Sequence, residues 1–228
     1  MLQIVIPAAG RGIRFKNSQY ENPKPLIEWG GKNMIEHVVD NFSTWENKIF
    51  ILSREHHKII LENCIVKEID FLTDGPAISA SLFEKEIDME SELIITNCDQ
   101  IIKDWDQEKF LRYARKYDGV LGCFISTNPH NSYLTVGENN LVTNVKEKVV
   151  ISNLATNGLH YWSKAKYFFD SLSDMVRNDD RTNGEFYVAP TYNYLISRGF
   201  KIGIFLFNEH YPIGTPEQLT IFLNNENK

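Results

Sequence analysis

The sequence predicts an α/β protein of three layers, α/β/α, built on a mostly parallel mixed central sheet. Three observations lead there. Short apolar, β-branched runs alternate with stretches of helical spacing through the first half of the chain, the order that parallel strands with crossover helices require. The N-terminal run is apolar without interruption, as suits a strand buried on both faces, and it breaks into small residues. The 228 residues contain no internal repeat, low-complexity tract or long Pro/Gly/Ser linker, so one continuous domain over 1–228 is expected.

The elements follow in order. Residues 3–6, Gln-Ile-Val-Ile, read as the first strand and Pro7-Ala8-Ala9-Gly10 as the turn that ends it. Beyond Pro23 and Pro25, residues 34–42 place apolar side chains at helical spacing, and 48–52 form a second strand. Further strands are expected at 64–69, 92–96, 119–125 and 202–207, and helices at 78–86, 108–116, 165–176, 187–198 and 217–224. Ligands of such sheets gather at the carboxyl ends of the strands. The turn after the first strand and the Asn97-Cys98-Asp99-Gln100 corner after 92–96 should therefore face one cleft.

Composition narrows the partners. The chain has 24 Lys and Arg against 30 Asp and Glu, a net charge of −6, which supplies no broad basic face for nucleic acid. A confined basic pocket remains compatible with that sum. Apolar runs are strand-sized, and Arg11 and Arg14 follow the first of them at once, so neither membrane insertion nor a signal peptide is expected and the cytoplasm is the default compartment. Cys64, Cys98 and Cys123 are too scattered for a zinc site and odd in number for a disulfide framework, so they read as core thiols. The histidines show no metal-ligand spacing.

Segment 8–14, Ala-Ala-Gly-Arg-Gly-Ile-Arg, is the most informative. Small residues let the backbone approach a phosphate and aim N–H groups at it, and Arg11 and Arg14 add positive charge. It lacks the GK[ST] of a Walker A loop, and Phe15 stands where a dinucleotide fingerprint needs its third glycine. Downstream, Asn22-Pro23-Lys24-Pro25-Leu26 holds one lysine between two prolines, a stiff segment projecting a single ammonium.

With these parts, AAGRGIRF, NPKPLIEWGGK and NMIEHVVDNF, the sequence resembles the sugar-phosphate nucleotidyltransferase family. The likeness continues through Asp99 in TNCDQ, Ser132-Tyr133 with Val145-Lys146-Glu147-Lys148, the 156–161 segment TNGLHY, and Ile213-Gly214-Thr215-Pro216-Glu217. It implies a Rossmann-like nucleotidyltransferase core of glycosyltransferase-A-like fold and a Mg2+-dependent enzyme. That enzyme would couple an NTP to a sugar 1-phosphate or similar phosphorylated metabolite, releasing pyrophosphate, for capsule or surface polysaccharide synthesis. On this resemblance Arg11 and Lys24 are catalytic. Ala8, Ala9, Gly10, Arg11, Gly12, Arg14, Gly75, Pro76, Asn97 and Asp99 bind nucleotide, and Asp99 holds the metal. Glu147, Lys148, Asn157, Gly158 and Glu185 bind the acceptor. By spacing alone Glu147 and Lys148 read instead as an exposed ion pair.

Three positions depart from the family pattern. Pro212 stands where many members carry the second metal aspartate, Cys98 replaces the glycine before Asp99, and the nucleotide loop reads Asp74-Gly75-Pro76-Ala77-Ile78-Ser79. These departures keep two alternatives in view: a catalytically silent nucleotide-sugar binding module, and a glycosyltransferase of similar fold. The identity of the base and acceptor is not read from the sequence, and an exposed strand edge leaves homo-oligomer formation open.

Overall fold

The computed structural model describes residues 1–16, 18–43 and 46–226. Strands β1 (Leu2–Pro7), β2 (Glu28–Trp29) and β3 (Lys32–Asn33) lead to α1 (Met34–Asp40). Then come β4 (Lys48–Arg54), β5 (Cys64–Ile69), α2 (Pro76–Ser81), β6 (Glu92–Thr96), β7 (Gln100–Ile102) and α3 (Gln107–Ala114). Strands β8 (Gly119–Ile125), β9 (Ser132–Val136), β10 (Val142–Glu147) and β11 (Leu154–Trp162) run consecutively before α4 (Ala165–Arg177) and α5 (Tyr192–Ser197). The described chain closes with β12 (Ile202–Leu206), β13 (His210–Pro212) and α6 (Pro216–Glu226).

Nine strands form one mixed sheet. Strands β5, β4, β1 and β6 lie side by side and parallel, β11 joins β6 antiparallel, and β8 and β12 extend that edge. Strand β11 forks. Its second half, Leu159–Trp162, pairs with β6, while Ala155 near its start pairs with Tyr133 of the β9–β10 hairpin. The pairing with β8 shifts register between Thr156 and His160. Gly158 sits at that shift with φ 84°, and a Cβ there would run into the Asn97 side chain. A residue with a side chain would be strained there and would displace Asn97.

Alternation along the strands sends side chains to two cores. Val5, Phe50, Leu93 and Ile95 pack with α2, α4 and α5 on one face. Ile4, Ile6, Ile49 and Ile94 pack with α1 and α3 on the other, giving the expected three layers. Helix α6 closes a smaller cluster of Phe15, Ile27, Met34, Ile213, Leu219 and Phe222, which braces the glycine turn from behind. Helix α1 starts on a capping box in which the Asn33 amide donates to Glu36 at 2.6 Å.

Three expectations need correction, and two short ribbons are additional. The helix expected at 78–86 begins at Pro76 and ends at Ser81, after which residues 82–87 follow tight turns. The helix expected at 187–198 is instead a 3-10 turn at Ala189–Thr191, with Pro190 in its first turn, running into the short α5. Cys64 is half-buried, so only Cys98 and Cys123 are core thiols. The antiparallel β7–β13 ribbon and the β2–β3 hairpin were not anticipated.

Candidate active site

The cleft lies where β1 and β6 end. Residues 8–14 leave β1, Asn97-Cys98-Asp99 leaves β6, and a cavity of about 340 Å³ opens between them. Of the residues expected to meet the nucleotide or to act on it, Ala8, Gly10, Gly12, Arg14, Lys24, Pro76, Asn97 and Asp99 line it. Glu147, Lys148 and Gly158, expected at the acceptor, line it together with Ser132, Thr156 and His160. An adjoining cavity takes in Ala9, Arg11, Gly75, Ser79 and Glu185. The Ala8 N–H donates to the Leu52 carbonyl at 2.7 Å, so that amide serves the sheet and not an anion.

At the centre the Lys24 ammonium donates to Asp99 Oδ2, with the two side chains 18% and 22% exposed. Burial is the largest single influence and weighs against the charged lysine, but the Asp99 charge, a contribution from Cys98 and the hydrogen bond to Asp99 together outweigh it and the Lys24 pKa is raised. Burial likewise opposes the Asp99 carboxylate, yet Lys24 holds it below its ordinary value. The Cys98 thiol between them is pushed up to about 11, chiefly by burial, and stays protonated. The Ile213 amide donates to the Asp99 carbonyl at 2.9 Å, which ties the 213–217 segment to the corner.

Glu147 is 7% exposed and accepts from the Ser132 hydroxyl. Burial raises its pKa, opposed only in part by Ser132 and Lys148. The exposed ion pair suggested by spacing is therefore not formed. Lys148 instead lies over the Tyr187 ring at 4.3 Å and donates to its hydroxyl, and that hydroxyl donates to Glu185 at 2.6 Å. Tyr187 thus joins the 147–148 corner to Glu185. It escaped sequence reasoning because it was assigned to a helix, although its place in the NGEFY segment was a usable signal.

Residues 74–77 are stitched to the same segment. Phe186 N–H donates to the Asp74 carbonyl at 2.7 Å and Ala77 N–H to the Phe186 carbonyl at 3.0 Å. Arg181 stacks on Phe186 at 4.1 Å and pairs with Asp74 at 3.1 Å, so the charged 179–181 loop positions residues 74–77. Asn157 lines a third cavity, which shares Asp99 and Asn97 with the first, and not the first itself. Ser132, Thr156 and His160, which stand in segments that carry the resemblance but were given no individual role there, line the first cavity as well.

Mg2+ prefers oxygen ligands and keeps several waters when few carboxylates are present. Asp99 supplies one carboxylate, Pro212 adds no side-chain donor, and no cluster of three His, Cys, Asp or Glu suited to a metal occurs among the described residues. That donor set fits a sparsely held Mg2+ completed by water and substrate phosphates, and does not fit a caged structural ion.

Comparison with known proteins agrees with this architecture. Residues 4–147, more than half of the chain, match the model of the MobA-like NTP transferase domain. The chain is 25% identical over 232 aligned residues to the bifunctional protein GlmU of Methanococcus maripaludis, covering 94% of this chain and 52% of that protein. It is 27% identical over 222 residues to GlmU of Methanocaldococcus jannaschii, with the same coverage. The chain thus spans about half the length of the curated relatives it matches. Its fold is that of the nucleoside-diphosphate-sugar pyrophosphorylase from Vibrio cholerae RC9, with TM-score 0.84 and 24% identity over 97% of this chain and 99% of that one. The inositol-1-phosphate CTP transferase from T. maritima superposes with TM-score 0.75 and 15% identity, covering 98% of this chain and 93% of that one. The glycine turn, the proline-flanked lysine and the strand-end aspartate all fall within or beside one cleft inside the matched span, and the chain belongs to the MobA-like NTP transferase domain family.

Proposed function

We propose that the protein is a Mg2+-dependent nucleotidyltransferase. It would couple an NTP to a sugar 1-phosphate or similar phosphorylated metabolite and release pyrophosphate, in the cytoplasm and in the service of capsule or surface polysaccharide synthesis. The observation that carries this reading is the meeting of the 8–14 turn, Lys24 and Asp99 at one cleft whose opposite wall bears Glu147 and Lys148. No helix among the described residues is long and apolar enough to cross a membrane.

Both substrates are anionic, so the protein's tasks are to offset charge and hold an in-line geometry. Arg11 and Arg14 contact the triphosphate. Lys24 neutralises charge between the α-phosphate and the attacking phosphate oxygen. As that oxygen bonds to the α-phosphorus, the bond to pyrophosphate breaks, with no side chain acting as nucleophile. Asp99 would hold Mg2+, which would supply Lewis-acid stabilisation of the phosphate oxygens. Gly75, Pro76 and Asn97 bound the nucleotide, while Glu147, Lys148, Asn157, Gly158 and Glu185 form the acceptor region. Pro212 in place of an acid supports the second reading, a silent binding module.

Incubation with each NTP and a panel of sugar and polyol phosphates, read by pyrophosphate release, separates the two. Release that depends on Mg2+ supports transfer. Tight nucleotide binding with no release above the Asp99→Ala background supports the silent module.

A further inference from the structure

A fourth cavity, about 900 Å³, is bounded by the glycine turn, the segment that leads to Pro25 and the end of β4. It shares Gly10, Gly12, Lys24 and Pro25 with the first cavity and includes neither Asp99 nor any residue assigned to the acceptor. Its charge is one-sided. Arg11, Lys16, Lys24 and Arg54 line it, against Glu21 as the only acid among the described lining residues. Lys24 is occupied by Asp99, but the Arg11 and Lys16 side chains are exposed and pair with no described residue. Like charges gathered without a counter-charge repel one another, a cost that a bound anion removes.

Two further groups on its wall are anchored. The Arg54 guanidinium donates to the Phe71 carbonyl at 2.6 Å and to the Asp70 carbonyl at 3.0 Å, neutral acceptors that fix the group and leave its charge uncancelled. His57 is 6% exposed and lines this cavity; its Nδ1 meets the Ser53 hydroxyl at 3.1 Å, while its Nε2 has no partner among the described residues and is not sealed from solvent. A hydroxyl can donate or accept, so with Ser53 as donor the neutral ring carries its proton on Nε2. Burial first, then the nearby His56 and Arg54, lower the His57 pKa to about 4, so at neutral pH the ring is uncharged. A buried imidazole donor, an anchored guanidinium and an unpaired ammonium around one cavity suit a tetrahedral oxyanion, which accepts from several directions, better than a planar carboxylate.

We propose that this cavity is a second anion site, which binds free phosphate or the phosphoryl group of a metabolite and is separate from the site of the triphosphate. Arg11, assigned to the triphosphate, borders both this cavity and the one that adjoins the cleft. A phosphate held here competes for the Arg11 charge, so its occupancy opposes NTP binding and makes turnover sensitive to the phosphate level. That consequence rests on the nucleotidyl-transfer reading; the binding itself does not, and can be tested without turnover.

The experiment titrates the whole 15N-labelled protein with inorganic phosphate and, separately, with glycerol 2-phosphate, at constant ionic strength, with and without a non-hydrolysable NTP analogue. The expected result is a saturable shift of the His57 Nε2 resonance with at least one of the two anions, which persists with the analogue bound at an affinity no more than about tenfold weaker. Lys16→Gln removes the ammonium, and His57→Asn keeps an amide for Ser53 while removing Nε2. Each should weaken phosphate binding about tenfold, the scale of one lost charge-assisted hydrogen bond, as read from the backbone amides of residues 54–57. His57→Gln, which returns an amide nitrogen near the Nε2 position, should recover part of that loss. Lys16 is exposed, so its variant carries the test where a His57 variant fails to fold. In turnover, phosphate should raise the KM for NTP, and Lys16→Gln should blunt that rise while its KM without phosphate stays at the parent's value. A His57 signal unmoved by both anions, a shift abolished by the analogue, or parental phosphate affinity in Lys16→Gln overturns the site. Failure of every NTP to release pyrophosphate overturns the transfer reading and leaves the phosphate titration interpretable.

Discussion

Lys24 and Asp99 each hold the other in its charged form. The lowered pKa of Asp99 means that its contribution to stability is present above its unfolded value of 3.8 and is lost as pH falls. The raised pKa of Lys24 means that its contribution is present below 10.5 and is lost as pH rises through the folded value. The pair is therefore intact across neutral pH. Lys24→Met leaves a half-sheltered carboxylate alone; we predict a loss of about 1–3 kcal/mol in urea unfolding and a fall in pyrophosphate release of at least about a hundredfold. Unchanged turnover in that variant would remove Lys24 from the chemistry. Glu147 runs the other way. Its raised pKa makes the carboxylate a cost to the fold at neutral pH. Glu147→Gln, which keeps an oxygen for Ser132, is predicted to match or exceed the parent's stability by up to about 1 kcal/mol while raising the KM for the acceptor phosphate. A lower denaturation midpoint with unchanged KM would contradict both parts.

Among the elements, the 74–77 loop depends on one backbone conformation. Gly75 has φ 121°, and a Cβ there would lie 2.5 Å from the Phe186 carbonyl oxygen, a backbone atom with nowhere to go. Gly75→Ala is predicted to cost about 2–3 kcal/mol and to weaken NTP binding, measurable by denaturant titration and calorimetry; wild-type values for both would show that the loop accommodates a side chain. The strands were legible because continuous apolar runs have few other solutions, and β5, β6 and β8 keep their expected bounds. The helix expected at 78–86 misled because Ala80 and Phe83, both buried, repeat at helical spacing. What ends it is distant: the Lys67 ammonium takes the Leu82 carbonyl at 2.5 Å and pairs with Glu86. The β7–β13 ribbon joins residues more than a hundred positions apart, as in the Gln100–His210 contact, and three-residue strands carry too little pattern to be seen.

At the scale of the whole molecule, three histidines, His57, His160 and His210, are shifted by burial from 6.5 to about 4. The unfolded chain takes up these protons first, so stability is full above about pH 6.5 and declines as pH falls toward 4, with His160 alone contributing on the order of 3 kcal/mol. Urea midpoints measured from pH 7 to pH 4.5 should fall, and His160→Leu should flatten the profile; a slope identical to the parent's would mean that His160 is already satisfied. The net charge of −6 takes on a location in the same view, an acidic exterior around Arg11, Arg14 and Lys24. What the sequence by itself determined was chemical capacity: a small-residue turn that can meet phosphate, a lysine held between prolines, a carboxylate at a strand end. These rest on residue type and near neighbours. Tertiary structure alone decided which groups meet and in what medium. Asp99 reaches Lys24 across 75 residues, Glu147 is buried against Ser132, Tyr187 bridges Lys148 to Glu185, and Asn157 and His210 come to line one cavity. Charge state, pairing and burial depend on distance and local dielectric, and those exist only once the sheet has brought its distant strands together.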